Sequence, residues 1–311
     1  MQKLKLIVFE GVQNLPIFAA QAQGYFADEG LDIDLSFTPD SGVLRKGLAA
    51  GDYDIAHTAV DNAIAMVELA KVDVAVILGG DSGFNALVFQ PDIGGFEDLR
   101  GQTVLVDAPN TAFALVLYRI LELHGLKRGD YVAEPVGATP FRLKRMLSDR
   151  LARASIMNLP FRIQAERAGL RIACEAIDEI GPYLSTAGFV LRAWADRNAD
   201  VLTAYCRAYI RGLRWALASE NHGTSIDILA ERLRLAPDIA AEGFAMAATP
   251  GGLAHDAEID MIGLANVLRL RAAVEGQWQG AAPPAENYVD RRFRDAAVQS
   301  LESASRSRSR K

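Results

Sequence analysis

Cysteine and histidine are scarce in this sequence, which contains two cysteines and four histidines among 311 residues. Cys174 and Cys206 lie in apolar surroundings, form no CxxC pair and have no histidine close to them in the sequence. Disulfide frameworks, redox motifs and zinc sites depend on such pairs or spacings. The scarcity argues against a metal or redox site, so we expect two buried free thiols, no metal and no cofactor.

Long hydrophobic runs and an excess of positive charge are also lacking. No stretch reaches the roughly 18 consecutive apolar residues of a membrane-spanning helix, and the formal net charge is −6. Nucleic-acid binding depends on neutralising phosphates with lysine and arginine. We therefore expect neither a nucleic-acid partner nor direct membrane insertion. The basic Ser/Arg segment 303–311 is predicted to be a disordered, solvated tail.

The sequence does contain a regular alternation of strand and helix patterns. Leu31, Ile33 and Leu35 alternate with Asp32 and Asp34, which is typical of a strand with one buried face. Similar patterns predict strands at 3–9, 31–37, 54–58, 72–78, 103–107, 131–136 and 154–158, with helices between them. Beyond residue 196 the pattern is wholly helical. This order predicts an α/β fold with mainly parallel sheets covered by helices.

Two β/α units followed by a helical segment suggest two lobes with a ligand cleft between them. We expect lobe one to comprise residues 1–88 plus 190–311 and lobe two to comprise residues 89–189. The connections near 85–90 and 185–192 would then act as hinges. In open α/β sheets, ligands bind at the carboxyl ends of the strands. This organisation is typical of a binding protein.

Several segments, in their order along the chain, resemble one family. They are LPIFAA at 15–20, GYFADEGLDI at 24–33, GLAAGDYDIA at 47–56, FEDLRGQTV at 96–104 and NYVD at 287–290. They are similar to the nitrate/sulfonate/taurine and thiamine-pyrimidine substrate-binding proteins of ABC importers. The resemblance implies the two-lobed type II periplasmic-binding-protein fold.

The resemblance also implies a function: a monomeric solute receptor that delivers a small organic molecule to ABC permease subunits. The alternative is an enzyme of the same fold that acts on a small aromatic or pyrimidine-like substrate. Enzymes with this fold use a cysteine-rich metal motif or a nucleophilic cysteine near the first helix, and neither pattern occurs here. We expect a non-enzymatic protein of the periplasm, or of the cytoplasm if the native chain starts at Met1 without a signal peptide.

Polar residues that follow predicted strands or begin predicted helices are the candidates for ligand binding. Asn110 and Thr111 lie at a helix start, where free amide hydrogens suit a ligand oxygen, although a simple helix cap is the alternative. Phe161 is expected either to stack on a flat ligand or to pack in the core. The full set of expected ligand-binding residues is Asn14, Ser41, Thr58, Asp61, Asp81, Asn110, Thr111, Asn158 and Phe161.

The charges of these candidates favour one kind of ligand. Asp61 and Asp81 would place carboxylates at the cleft, whereas the set contains no lysine and the nearest arginine is Arg162. Carboxylates accept hydrogen bonds from amines and attract positive charge. The sequence therefore favours a neutral or amine-bearing solute over a sulfonate or nitrate.

Overall fold

A computed structural model describes residues 1–308 of the chain. Its strands are β1 (Gln2–Val8), β2 (Leu31–Phe37), β3 (Ile55–Ala59), β4 (Val74–Asp81), β5 (Ala86–Phe89), β6 (Thr103–Val106), β7 (Val132–Pro135), β8 (Ala152–Met157), β9 (Arg171–Glu175) and β10 (Thr186–Leu191). The seven strands expected from the sequence are present. The other three, β5, β9 and β10, were not anticipated.

Helices connect and cover these strands. They are α1 (Leu15–Ala22), α2 (Tyr25–Asp28), α3 (Ser41–Ala50), α4 (Asp61–Glu68), α5 (Ala112–Leu123), α6 (Thr139–Ser148), α7 (Phe161–Arg167), α8 (Ala176–Ile180), α9 (Arg192–Arg197), α10 (Ala199–Leu217), α11 (His222–Leu233), α12 (Pro237–Ala247), α13 (Met261–Glu275) and α14 (Arg292–Arg308). Residues 303–308 are thus helical where the sequence predicts a disordered tail, because α14 is anchored by the buried Phe293 and Ala297. Residues 309–311 lie outside the described residues.

The strands form two five-stranded sheets with the same pattern. The first sheet has the order β2-β1-β3-β10-β4 and the second has the order β7-β6-β8-β5-β9. In each sheet the pairs on one side are parallel, and one strand, β10 or β5, runs antiparallel to both of its neighbours. These antiparallel strands carry the chain into the second sheet and back to the first.

The helices that cover the sheets bury the central strands. Both β3 and β4 are buried along their whole length, as expected for strands covered by helices on both faces. The long helix α10 packs against α1 and α14 on the first sheet. The expected lobe boundaries at 88/89 and 189/190 fall within β5 and β10, so the division of the chain into lobes at those residues stays a prediction.

Candidate ligand-binding cleft

A cleft lies where the carboxyl ends of strands from both sheets converge. Its walls include residues that end or follow β3, β4, β6 and β8, in agreement with the general position of ligands in α/β sheets. The cavity measures about 40 Å³, room for about three water molecules. Its lining residues are Phe9, Gln13, Ser41, Thr58, Ala59, Asp81, Phe84, Asn85, Asp107, Thr111, Ala112, Phe113, Ala138, Thr139, Arg142, Asn158, Ser185 and Thr186.

We call the cleft residues on first-sheet segments (9–81 and 185–186) the first wall and those on second-sheet segments (107–158) the second wall. A side-chain hydrogen bond joins the walls directly, and a backbone hydrogen bond links the second wall to the loop before α3. Ser41 Oγ donates to Asp107 Oδ2 over 2.6 Å, and the amide of Ala138 donates to the carbonyl oxygen of Pro39 over 3.0 Å. These bonds link the two sides of the cleft.

The polar groups of the first wall are largely bonded to one another. Asp81 accepts hydrogen bonds from the Gly83 amide at 2.9 Å and from Thr186 Oγ1. The Thr58 hydroxyl accepts a 3.4 Å bond from Asn62. Burial raises the pKa of Asp81 to about 6, although the bonds from Thr186, Gly83 and Ser185 oppose the shift.

The second wall contains a buried arginine, Arg142, at the start of α6. Its guanidinium donates to the carbonyl oxygens of Gly137 and Ile156 and to the hydroxyls of Ser155 and Thr139, over 2.6–3.0 Å. Burial lowers the pKa of Arg142 to about 10, and the nearby negative charge of Asp107 opposes the shift. Arg142 therefore keeps its charge at neutral pH and ties α6 to β8.

Unlike the first wall, the second wall leaves buried acceptors open. Asp107 Oδ1 and Asn158 Oδ1 accept no hydrogen bond from the described residues, and the same holds for Asn85 Oδ1 between β4 and β5. Asn85 is 2% exposed, and Asp107 and Asn158 are each 8% exposed. Buried acceptors normally have a partner, so these three oxygens are suited to a ligand's hydrogen-bond donors.

Five of the nine residues expected from the sequence line the cleft, and four do not. The lining residues are Ser41, Thr58, Asp81, Thr111 and Asn158. Asn14 lies behind the wall, where its side-chain amide donates to the Phe9 carbonyl oxygen over 2.7 Å. Asn110 sits in the turn before α5 and is not part of the wall. Whether any of the nine binds a ligand stays a prediction.

The other two residues have structural partners instead. Asp61 Oδ1 accepts a 2.5 Å hydrogen bond from Arg271 on α13, and both residues are almost fully buried. Phe161 packs against Leu143 and Met157 in a small hydrophobic cluster. Asp61 does not line the cleft as expected. A buried carboxylate needs a counter-charge, and Arg271, which is 210 positions later in the sequence, provides it.

Sequence reasoning also missed residues that line the cleft. Asp107 directly follows β6, so the rule that selected Asp81 applies to it equally. No sequence signal identified Arg142, which lies within a helix pattern. The expectation that Arg162 is the nearest arginine is wrong: Arg142 lines the cleft, whereas Arg162 pairs with Glu175 outside it.

Neither cysteine lines the cleft. Both are free thiols, Cys206 buried and Cys174 half-buried. Burial raises the pKa of Cys174 to about 12 and raises that of Cys206 as well, so neither is an activated thiolate. Within residues 1–308, no three His, Cys, Asp or Glu side chains cluster as metal ligands, and no helix combines the length and apolar character of a membrane span.

The sheet order, the crossing strands and the cleft define a two-lobed α/β binding fold. The chain belongs to the NMT1/THI5-like family, whose model matches residues 12–221. Riboflavin-binding protein RibY of Chloroflexus aurantiacus is 20% identical over 231 residues, which are 72% of this chain and 65% of that protein. The chain thus spans 65% of the length of this curated relative.

Solved structures share the fold over nearly the whole chain. One from Bordetella bronchiseptica has a TM-score of 0.82 and 20% identity, and the match covers 97% of this chain and 98% of that one. The periplasmic nitrate-binding protein NrtA of Synechocystis has a TM-score of 0.78 and 14% identity, with 97% and 89% covered. These likenesses confirm the expected periplasmic-binding-protein fold.

The fold also occurs in an enzyme. The desulfurization enzyme DszB matches with a TM-score of 0.67 and 13% identity, over 96% of this chain and 99% of that one. The fold alone therefore does not separate receptors from enzymes, and the residues of the cleft have to do so.

Proposed function

We propose that this protein is the solute-binding receptor of an ABC importer, which captures a small organic molecule in its cleft and presents it to permease subunits. The observation that carries the proposal is the polar cleft between two lobes at the carboxyl ends of their strands. Membership of the NMT1/THI5-like family and the likeness to a periplasmic nitrate-binding protein support it. A receptor of this kind operates in the periplasm as a monomer.

The cleft chemistry favours a receptor over an enzyme. Among the lining residues there is no cysteine or histidine, so the cleft wall provides neither a thiol nucleophile nor an imidazole base for covalent catalysis. His57 lies on the cleft strand β3, but its side chain is buried against Tyr205 and Tyr209. Burial lowers the pKa of His57 to about 3, so it stays neutral. The lining instead offers hydrogen-bonding groups and three aromatic rings.

A thermal-shift screen tests this function. The screen includes riboflavin, nitrate, alkanesulfonates, carboxylates, pyrimidines and amines. A solute at 100 times its dissociation constant stabilises the fold by about 2.7 kcal/mol. We expect at least one class to raise the melting temperature and to be recovered chemically unchanged after incubation. Conversion of a bound solute into a product would favour the enzyme, and cell fractionation that finds the native protein only in the cytosol would contradict the importer.

A further inference from the structure

The open acceptors of the cleft receive no hydrogen bond from residues 1–308, the part of the chain that the structure describes. Asn85, Asp107 and Asn158 each present one buried side-chain oxygen that accepts nothing from the described residues. All three residues line the same cavity. A buried oxygen without a donor is costly, so three in one small cavity indicate a ligand that supplies several N–H or O–H groups.

Charged side chains around the cavity also affect which hydrogen-bond donors a ligand can present there. The charged residues among those lining the cavity are Asp81, Asp107 and Arg142. Beside them, the Arg45 guanidinium donates to the Ser41 carbonyl oxygen over 3.1 Å and also interacts with the charge of Asp107. Asp81 is engaged with Thr186 and Gly83, whereas Asp107 keeps one oxygen open. A positively charged donor gains both a hydrogen bond and electrostatic attraction at that oxygen.

Arg142 does not offset this preference by recruiting an anion. A guanidinium has five N–H donors, and four hydrogen bonds from Arg142 already go to protein acceptors. Its fixed position therefore leaves little for a bidentate contact with a carboxylate or sulfonate. The rings of Phe9, Phe84 and Phe113 also line the cavity, and aromatic faces attract cations.

We propose that the cleft binds the cationic nitrogen head of its solute, an amidinium or primary ammonium group, through Asn85, Asp107 and Asn158. This inference rests on the proposed receptor function and specifies the chemistry of its ligand. Asp61 does not contribute to this site, because its charge is neutralised by Arg271. Asp107, which sequence reasoning passed over, takes the central position.

Three small molecules of nearly equal size and shape test the proposal: acetamidinium, acetamide and acetate. They differ in charge and in the number of N–H donors. Calorimetry at pH 7.5 is expected to show acetamidinium binding at least about tenfold more tightly than acetamide, and acetate binding more weakly than either. Acetate or nitrate binding more tightly than acetamidinium would overturn the proposal, and so would no binding by acetamidinium.

Variants test whether the side-chain oxygens of Asp107 and Asn158 are responsible for acetamidinium binding. Asp107→Asn is expected to weaken acetamidinium binding about tenfold and to change acetamide binding less than about threefold. Asp52→Asn removes the same charge from an exposed position after α3 and is expected to leave both affinities unchanged. Asn158→Leu, which removes an acceptor, is expected to weaken both solutes. If Asp107→Asn does not fold, as judged by circular dichroism, Asn158→Leu decides: unchanged binding overturns the proposal.

The outcome also separates this proposal from the receptor function. Binding of riboflavin, nitrate or an alkanesulfonate in the cleft, without binding of acetamidinium, overturns the cationic ligand and leaves the receptor standing. Failure of every class in the thermal-shift screen contradicts the receptor itself.

Discussion

The two walls of the cleft come from sheets with the same strand pattern, but they differ in how many of their polar groups are hydrogen-bonded within the protein. In the first wall, Asp81 is bonded to Thr186 and Gly83, and just behind it Asp61 is paired with Arg271. In the second wall, Asp107 and Asn158 keep open oxygens. Topology thus brings polar residues to the strand ends in both lobes, and the presence of a partner decides which of them are available to a ligand.

The largest expected effect concerns the arginine that supports the second wall. Arg142→Met removes four hydrogen bonds and leaves the buried carbonyl oxygen of Ile156 and the partly buried one of Gly137 without these donors. Buried groups left unpaired cost about 1–3 kcal/mol each, so urea denaturation is expected to show a loss of about 3–5 kcal/mol. Arg150→Met, at an exposed ion pair with Asp92, is the control and is expected to cost less than about 1 kcal/mol. Equal losses for both variants would contradict the role given to Arg142.

Asp61 and Asp107 contrast a buried acid paired with an arginine and one bonded to a serine hydroxyl, and each leaves its other oxygen without a partner among the described residues. Asp61→Asn leaves the buried Arg271 without its counter-charge and is expected to lower the free energy of unfolding by about 3 kcal/mol. Asp107→Asn retains an oxygen that can accept from Ser41, so a loss below about 1.5 kcal/mol is expected. Chemical denaturation of the two variants measures this difference. A larger loss for Asp107→Asn would show that the two acids have been assigned the wrong roles.

Asp81 gives the first wall a pH dependence. Its pKa is about 6 in the folded protein and about 4 in the unfolded chain, so the folded state holds this proton more tightly. The contribution of Asp81 therefore destabilises the fold above pH 6, and the penalty disappears as the pH falls through 6 towards 4. The titratable side chains that face it, Tyr183 and Tyr209, have pKa values raised by burial and stay neutral.

The Asp81→Asn variant tests this dependence. Its free energy of unfolding minus that of the wild type is expected to increase by about 2 kcal/mol between pH 4 and pH 7. Urea titrations at both pH values measure it, and other titrating groups cancel in the difference. A difference that stays flat or decreases over this range would contradict the raised pKa.

The smallest expected effect concerns the hydrogen bond between Ser41 and Asp107, which joins the walls. Ser41→Ala removes the donor to Asp107 and is expected to cost about 1 kcal/mol. Loosening of the closed cleft is expected to appear as a larger radius of gyration in solution scattering. Ser148→Ala, an exposed serine of α6, is the matched control. A larger effect of Ser148→Ala on either quantity would contradict the bridging role of Ser41.

Much of the fold could be predicted from the sequence because hydrophobic periodicity reports directly on strands and helices. The alternation around Leu31 and Ile33, for example, matches β2. The crossing strands β5 and β10 were missed because short buried apolar runs carry no distinctive period. For the site, the rule of strand ends found Ser41, Thr58 and Asn158. It could not show that Asp61 is neutralised by Arg271, because that contact joins residues far apart in the chain.

Hydrogen exchange with and without the tightest-binding solute of the screen tests most directly whether a solute binds between the two walls. The amides of residues 38–44 in the first wall and 107–113 in the second are the reporters. Binding in the cleft predicts slower exchange in both segments. Protection confined to one wall, or to surfaces away from both, would contradict the account.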